Sequence, residues 1–156
     1  MTAVEADRNR FALFAEEVGP RLTQALVASL GGELGREMAA DALAYGWEHW
    51  SRVGAMENPA GYLYRVGRNR GRRMRRPYLL PDPPPPKSEP LVEPGLPSAL
   101  ARLSNRQRVS VMLVHGAGWT LSETAAVMGI SPGSVYRHVE RALRLLRKSL
   151  GVNSDA

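Results

Sequence analysis

LSNRQRVSVMLVHGAGWTLSETAAVMGISPGSVYRHVERALRLLRKSL, residues 103–150, decides how this chain folds. Ser104-Asn105-Arg106-Gln107 is a capping box ahead of an apolar run, Val109, Val111, Met112, Leu113 and Val114. Gly116 and Gly118 stop that helix. Thr120-Leu121-Ser122-Glu123 is a second box, ahead of Ala125, Ala126, Val127 and Met128. Gly129 closes this helix after about two turns, because a tight exit needs the left-handed conformation that glycine adopts freely. Ser131-Pro132 then sets an N-cap with proline at the first helical position. The third helix carries Val135, Val139, Ala142, Leu143, Leu146 and Leu150 on one side, so it is long and amphipathic.

A short helix, a turn of a few residues and a second helix make a helix-turn-helix. Ala125 is small where the two helices cross, and Ile130 and Val135 can plug the angle between them. The opposite face of the last helix shows Ser134, Tyr136, Arg137, His138, Arg141 and Arg144. In a major groove its first residues meet base edges and its later arginines meet phosphates.

Upstream, residues 77–97 hold nine prolines in 21 positions, PYLLPDPPPPKSEPLVEPGLP. Proline lacks the backbone N–H and fixes φ, so neither a helix nor a central strand forms there. This stretch reads as a linker, with Pro83–Pro86 extended, between a domain at 1–76 and one at 98–151; residues 152–156 are a tail. In the first domain Phe11, Phe14, Val18, Leu22, Leu26 and Leu30 follow helical spacing up to Gly31-Gly32, with a kink or break expected at Pro20. A second stripe runs Met38, Ala42, Tyr45 or Gly46, and His49. Asn58-Pro59 starts a third helix, on which Tyr62, Val66 and Asn69 share a face with Leu63 beside it. No alternating strand pattern occurs, so the fold class is all-α: two small helical domains, the second a helix-turn-helix.

Charge divides along the same lines. The 156 residues carry a formal net charge of +6. Residues 1–60 hold five Arg and nine acids; residues 61–77 hold seven Arg and no acid. An acidic block beside a strongly basic one points to two kinds of partner surface. All basic residues except Lys87 and Lys148 are Arg, whose planar guanidinium binds phosphate through two parallel bonds. Tyr62, Arg65, Arg68, Asn69, Arg72 and Arg73 are therefore candidates for a second nucleic-acid contact. The chain has no cysteine, which excludes a disulfide framework and a thiolate nucleophile. No apolar run reaches a membrane span and the first residues lack a signal-peptide pattern, so a cytoplasmic protein is expected. His49, His115 and His138 are scattered, and no carboxylate pair, Gly-rich phosphate loop or Ser-His-Asp spacing stands out. No enzyme, metal or cofactor is expected.

Residues 103–150 resemble region 4 of the sigma-70 family of bacterial RNA polymerase sigma factors, nearest the two-domain extracytoplasmic-function type. NPAGYLYRVGRNRGRRMRR, residues 58–76, is similar to the end of the family's region 2: Asn58-Pro59, Tyr62-Leu63-Tyr64, Arg68-Asn69 and Arg72-Arg73 stand at its motif positions. The core-docking run, usually Asp-Leu-Val-Gln-Glu, is represented by Ala40–Gly46 with Asp41 retained and the Gln-Glu pair replaced. The resemblance implies an alternative sigma factor. Its second domain would read the −35 element through residues 134–144 and touch the polymerase flap. Its basic helix would open the −10 element. Asp41, Leu43, Glu48 and Trp50 would face core RNA polymerase. The partners so implied are core RNA polymerase, promoter DNA and an anti-sigma factor. The residues alone leave a second reading, a helix-turn-helix regulator that binds DNA without polymerase, and a third, a protein-interaction module with incidental basic charge.

Overall fold

A computed structural model describes residues 1–74 and 94–151, and every regular element among them is a helix. The polyproline reading at 83–86, Arg75 and Arg76, and the tail at 152–156 lie outside the described residues.

Helix α1 (Ala3–Leu30) starts at Thr2, whose side chain accepts the Glu5 N–H while the Glu5 carboxylate accepts the Thr2 N–H. Its 28 residues make a rod about 42 Å long. Pro20 does not break it. A proline there removes the bond to the Glu16 carbonyl, and both residues lie on the exposed side of the helix, where losing that bond costs least. Gly31, at φ +93°, is the single-residue joint to α2 (Gly32–Glu48), which folds back along α1. The two helices touch where Gly35 meets Val27: a Cβ on Gly35 would run into the Val27 backbone. One short turn, α3 (Trp50–Val53), leads to α4 (Pro59–Arg73), capped by the Asn58 side chain, which accepts the Gly61 N–H at 3.0 Å.

The buried face of α4 is Gly61, Leu63, Tyr64, Gly67 and Gly71, not the Tyr62–Val66–Asn69 face that the spacing suggests. Glycines bring the backbones together here. A Cβ on Gly67 would lie 2.7 Å from Leu26 Cδ1 and 3.2 Å from the Met38 carbonyl. The same economy settles the choice on α2. Gly46 is buried beneath Leu63, and Tyr45 is turned to the half-buried flank.

In the second half, α5 (Leu96–Arg102) begins within the stretch read as linker and packs Ala99 and Leu100 with Ala142 and Leu146. Helix α6 (Asn105–Val111) and α7 (Leu121–Met128) open with the two expected capping boxes. Between them α6 widens into a π-turn, Met112–Gly116, and Gly118 turns the chain at φ +73°. Gly129 ends α7 in the left-handed conformation at φ +70°, and Ser131 caps α8 (Pro132–Ser149). Ala125, Val135 and Val139 form the small core of the corner, with Ile130 and Leu121 against it.

The two halves share one core. Leu22, Leu26, Met38, Leu63 and Tyr64 of the first lie in the same buried cluster as Val109, Leu113, Trp119 and Val127 of the second. Polar bonds rim this seam. Arg108, buried, donates from Nε to the Ala28 carbonyl (3.1 Å) and from Nη2 to the Ser29 carbonyl (2.9 Å), so it caps the end of α1 from outside. The Ser29 hydroxyl donates to Asn105 Oδ1 at 2.6 Å. Asn58 Nδ2 donates to the Ala126 carbonyl at 2.6 Å, and Trp119 Nε1 to Gln24 Oε1 at 2.9 Å. Arg21 pairs with Glu123 at 2.6 Å and lies over the Trp119 ring.

Candidate nucleic-acid interface

The buried stripe of α8 is Val135, Val139, Ala142 and Leu146, which turns its other side outward. Arg137, Arg141 and Arg144, at i, i+4 and i+7, line the exposed side in one row. Tyr136 flanks the row and is 54% exposed. Ser134 is tied into the cap: its N–H donates to Ser131 Oγ (3.1 Å) and its Oγ accepts from the Ser131 hydroxyl (2.9 Å). Arg137 Nη2 donates to that same Ser134 Oγ at 3.1 Å, so its guanidinium rests over the first turn of the helix. This end of a helix-turn-helix enters a major groove, and Arg137 is already held there.

His138 differs from its neighbours. It is half-buried, and its Nδ1 has no hydrogen-bond partner among the described residues. Burial holds its pKa below the usual histidine value, and Arg106 from α6, with Arg141 and Arg137, adds to the shift. The ring sits on the flank of the row, toward α6, rather than at its crest.

On α4, Arg65, Asn69, Arg72 and Arg73 are exposed. Arg68 is half-buried over the Tyr64 ring. Tyr62 is also half-buried and belongs to a polar aromatic cluster that the sequence does not announce. Its hydroxyl lies 3.4 Å from that of Tyr45, and Arg52 donates to both hydroxyls, at 3.3 Å to Tyr62 and 2.6 Å to Tyr45. These bonds from Tyr45 and Arg52 lower the Tyr62 pKa below its ordinary value. The Arg52 guanidinium lies over the Tyr62 ring and that of Arg70 over the Tyr45 ring. Arg52 and Arg70 thus extend the cationic surface of α4. Arg70 was legible as one more arginine on a basic helix. Arg52 has no sequence signal, because its partners Tyr45 and Tyr62 meet only after folding. The two basic elements approach each other at one point, where the Arg65 side chain reaches beside Gly129 at the turn before α8.

The four residues expected to face a protein partner do not form one surface. Asp41 and Glu48, two turns apart on α2, are both exposed on one side. Leu43 is half-buried beside Gly19 of α1. Trp50 is packed into an aromatic cluster, 5.4 Å from Phe11 and 5.1 Å from Phe14 between ring centroids. Trp47 also packs on Phe11, 5.4 Å between ring centroids, and keeps 40% of its surface exposed.

Residues 95–146 match the family model described as sigma-70, region 4. That span holds α5, α6, α7 and most of α8. No curated protein matches the chain. Among solved structures the chain resembles the sigma factor RpoE from Bartonella quintana, in its co-crystal structure with the anti-sigma factor NepR. The TM-score is 0.60 at 22% sequence identity, over 92% of this chain and 98% of that one. The likeness establishes a shared fold across both halves. No helix among the described residues is long and apolar enough to cross a membrane.

Proposed function

We propose that this chain is an alternative sigma factor, a non-enzymatic subunit that binds core RNA polymerase and directs it to particular promoters. The observation that carries this reading is the arginine row of α8, presented by a capped helix-turn-helix inside a segment that matches sigma-70 region 4. In this reading residues 98–151 read the −35 element, with Arg137 and Tyr136 at base edges and Arg141 and Arg144 at phosphates. Residues 1–76 carry the −10 contacts on α4, where Arg65, Arg72 and Arg73 are exposed and Arg52 adds a pre-positioned guanidinium. The exposed acids Asp41 and Glu48 face the polymerase in this reading. An anti-sigma factor is a further partner; the structural relative is seen with one, and its fold spans nearly all of this chain. A cytoplasmic location follows from this role.

Reconstitution with core polymerase tests the reading. The chain is expected to co-elute with core enzyme and to start transcripts at a defined set of genomic positions. Sequence-selective DNA binding without any core binding would favour the stand-alone regulator instead. Binding to neither would leave only an interaction module.

A further inference from the structure

Ser131, Ser134 and Arg137 stand three residues apart, so their side chains stack along one side of the start of α8. They are joined in order. The Ser134 N–H donates to Ser131 Oγ at 3.1 Å, and the Ser131 hydroxyl donates to Ser134 Oγ at 2.9 Å. Arg137 Nη2 donates to that same Ser134 Oγ at 3.1 Å. A hydroxyl oxygen has two lone pairs, and both of those on Ser134 are taken, one from each side, which fixes its rotamer. The helix cap and the arginine therefore share one oxygen. The other amino nitrogen of the guanidinium, Nη1, lies over the first turn, 3.7 Å from where a Cβ on Gly133 would stand.

Stability does not explain where this guanidinium lies. A cation over the first turn faces the positive end of the helix dipole. The bond to Ser134 is exposed, where it replaces a bond to water at little gain. Among the described residues Arg137 makes no ion pair, and neither Arg141 nor Arg144, farther along the same row, is tethered to its own helix in this way. What the position offers is a guanidinium directed toward the end of α8 that a helix-turn-helix inserts. The bond to Ser134 uses one of five N–H groups, so a parallel pair remains for two adjacent acceptors, the arrangement of O6 and N7 on guanine. A side chain already held in place loses less rotamer freedom when it binds.

We propose that Ser134 is the positioning residue of the reading end of α8: it holds Arg137 forward for a guanine and so sets the preference at one base of the DNA site without touching that base itself. The inference rests on the function proposed above, in which α8 enters a major groove. Removing the Ser134 hydroxyl leaves the helix cap in place, because the cap bond runs from the Ser134 backbone N–H to Ser131 Oγ. It frees the arginine. Ser134→Ala thus separates positioning from folding, and Ser134→Thr, which keeps an oxygen on Cβ, restores the tether.

The full chain and its variants are selected against randomised duplex DNA. Affinities are then measured on the selected duplex and on its three single-base changes at the position that Arg137→Ala relaxes, with circular dichroism as the check on helix content. Guanine is expected at that position in the unaltered chain. Ser134→Ala is expected to lower the guanine preference about 3- to 10-fold, the equivalent of one long side chain losing its pre-ordering. Preferences at the other positions are expected to stay, and Ser134→Thr to restore the lost one. In an Arg137→Ala background, Ser134→Ala is expected to change nothing further, since a positioning residue acts only through the residue it holds. Full guanine preference in Ser134→Ala, or an equal loss on every duplex, overturns the positioning role while α8 still reads DNA. A further loss of preference in the Arg137→Ala background overturns it too, and makes Ser134 a direct base contact. Binding without any sequence preference in the unaltered chain overturns the positioning role and the DNA-reading end of α8 together.

Discussion

Helices α4 and α8 are both basic and both start at an N-cap followed by proline, yet they are held in opposite ways. Helix α8 buries valine, alanine and leucine at helical spacing and is held by apolar burial. Helix α4 buries three glycines beside Leu63 and Tyr64 and is held by close backbone approach. The lesson is that a helix face can be specified by what is missing. Hydrophobic periodicity registers the first kind of face and is blind to the second. The same contrast extends to the halves: Gly35, Gly46, Gly67 and Gly71 set the spacing of α1, α2 and α4, whereas the second half is set by caps, a left-handed glycine and an aliphatic stripe.

Substitutions can break this comparison at several strengths. Gly35→Ala is expected to do the most damage, because the added carbon meets the Val27 backbone rather than a movable side-chain end. Overpacking of this kind costs about 3 kcal/mol, outweighing the helix propensity gained from alanine. Val135→Ala empties part of the helix-turn-helix corner and is expected to cost about 2 kcal/mol. Gly116→Ala meets nothing within 4 Å and is expected to stay within about 0.5 kcal/mol of the original. Urea denaturation followed by circular dichroism reads all three. Because the halves share a core cluster, each variant is expected to move one common transition. If Gly35→Ala is neutral, the glycine-spaced packing of α1 and α2 is wrong.

A weaker effect separates the two basic helices by pH. His138 is held below its unfolded pKa, so the unfolded chain binds the extra proton more readily. Its contribution is complete above the unfolded value, near 6.5, and fades as pH falls through the depressed folded value. His138→Gln is expected to flatten the acid side of the stability profile slightly between pH 7 and pH 5. An unchanged slope would mean that the ring is not buried beside Arg106 and Arg141 as described.

The second half was legible almost residue by residue. Ser104, Thr120, Ser131 and Gly129 each act at short range, and local hydrogen-bond chemistry fixes what such residues do. The all-helical class was legible for the same reason. Pro20 misled because a proline is most disruptive where the bond it removes is buried, and here both Pro20 and Glu16 are exposed. The α4 face was missed because three glycines carry it. The seam was out of reach: Arg108, Ser29 and Asn105 meet across nearly 80 residues of sequence, and nothing local marks Arg108 as buried. The Tyr45–Arg52–Tyr62 cluster was missed likewise, and the protein-facing quartet was drawn from one stretch although alternate residues of a helix point to different sides.

In the proposed function, α8 reads DNA with the residues near its start and grips it with those farther along. A binding selection on randomised duplex DNA, run with the full chain and with Arg137→Ala and Arg144→Ala, tests it most directly. Losing a bidentate base contact costs about 1–3 kcal/mol and relaxes preference at that base; losing a phosphate contact weakens all sequences alike and lowers the salt slope by about one. Arg137→Ala is expected to reorder the selected sequences, and Arg144→Ala to keep the order at lower affinity. If Arg137→Ala returns the original ranking, α8 does not enter the groove by its first turn and the reading face assigned to it is wrong.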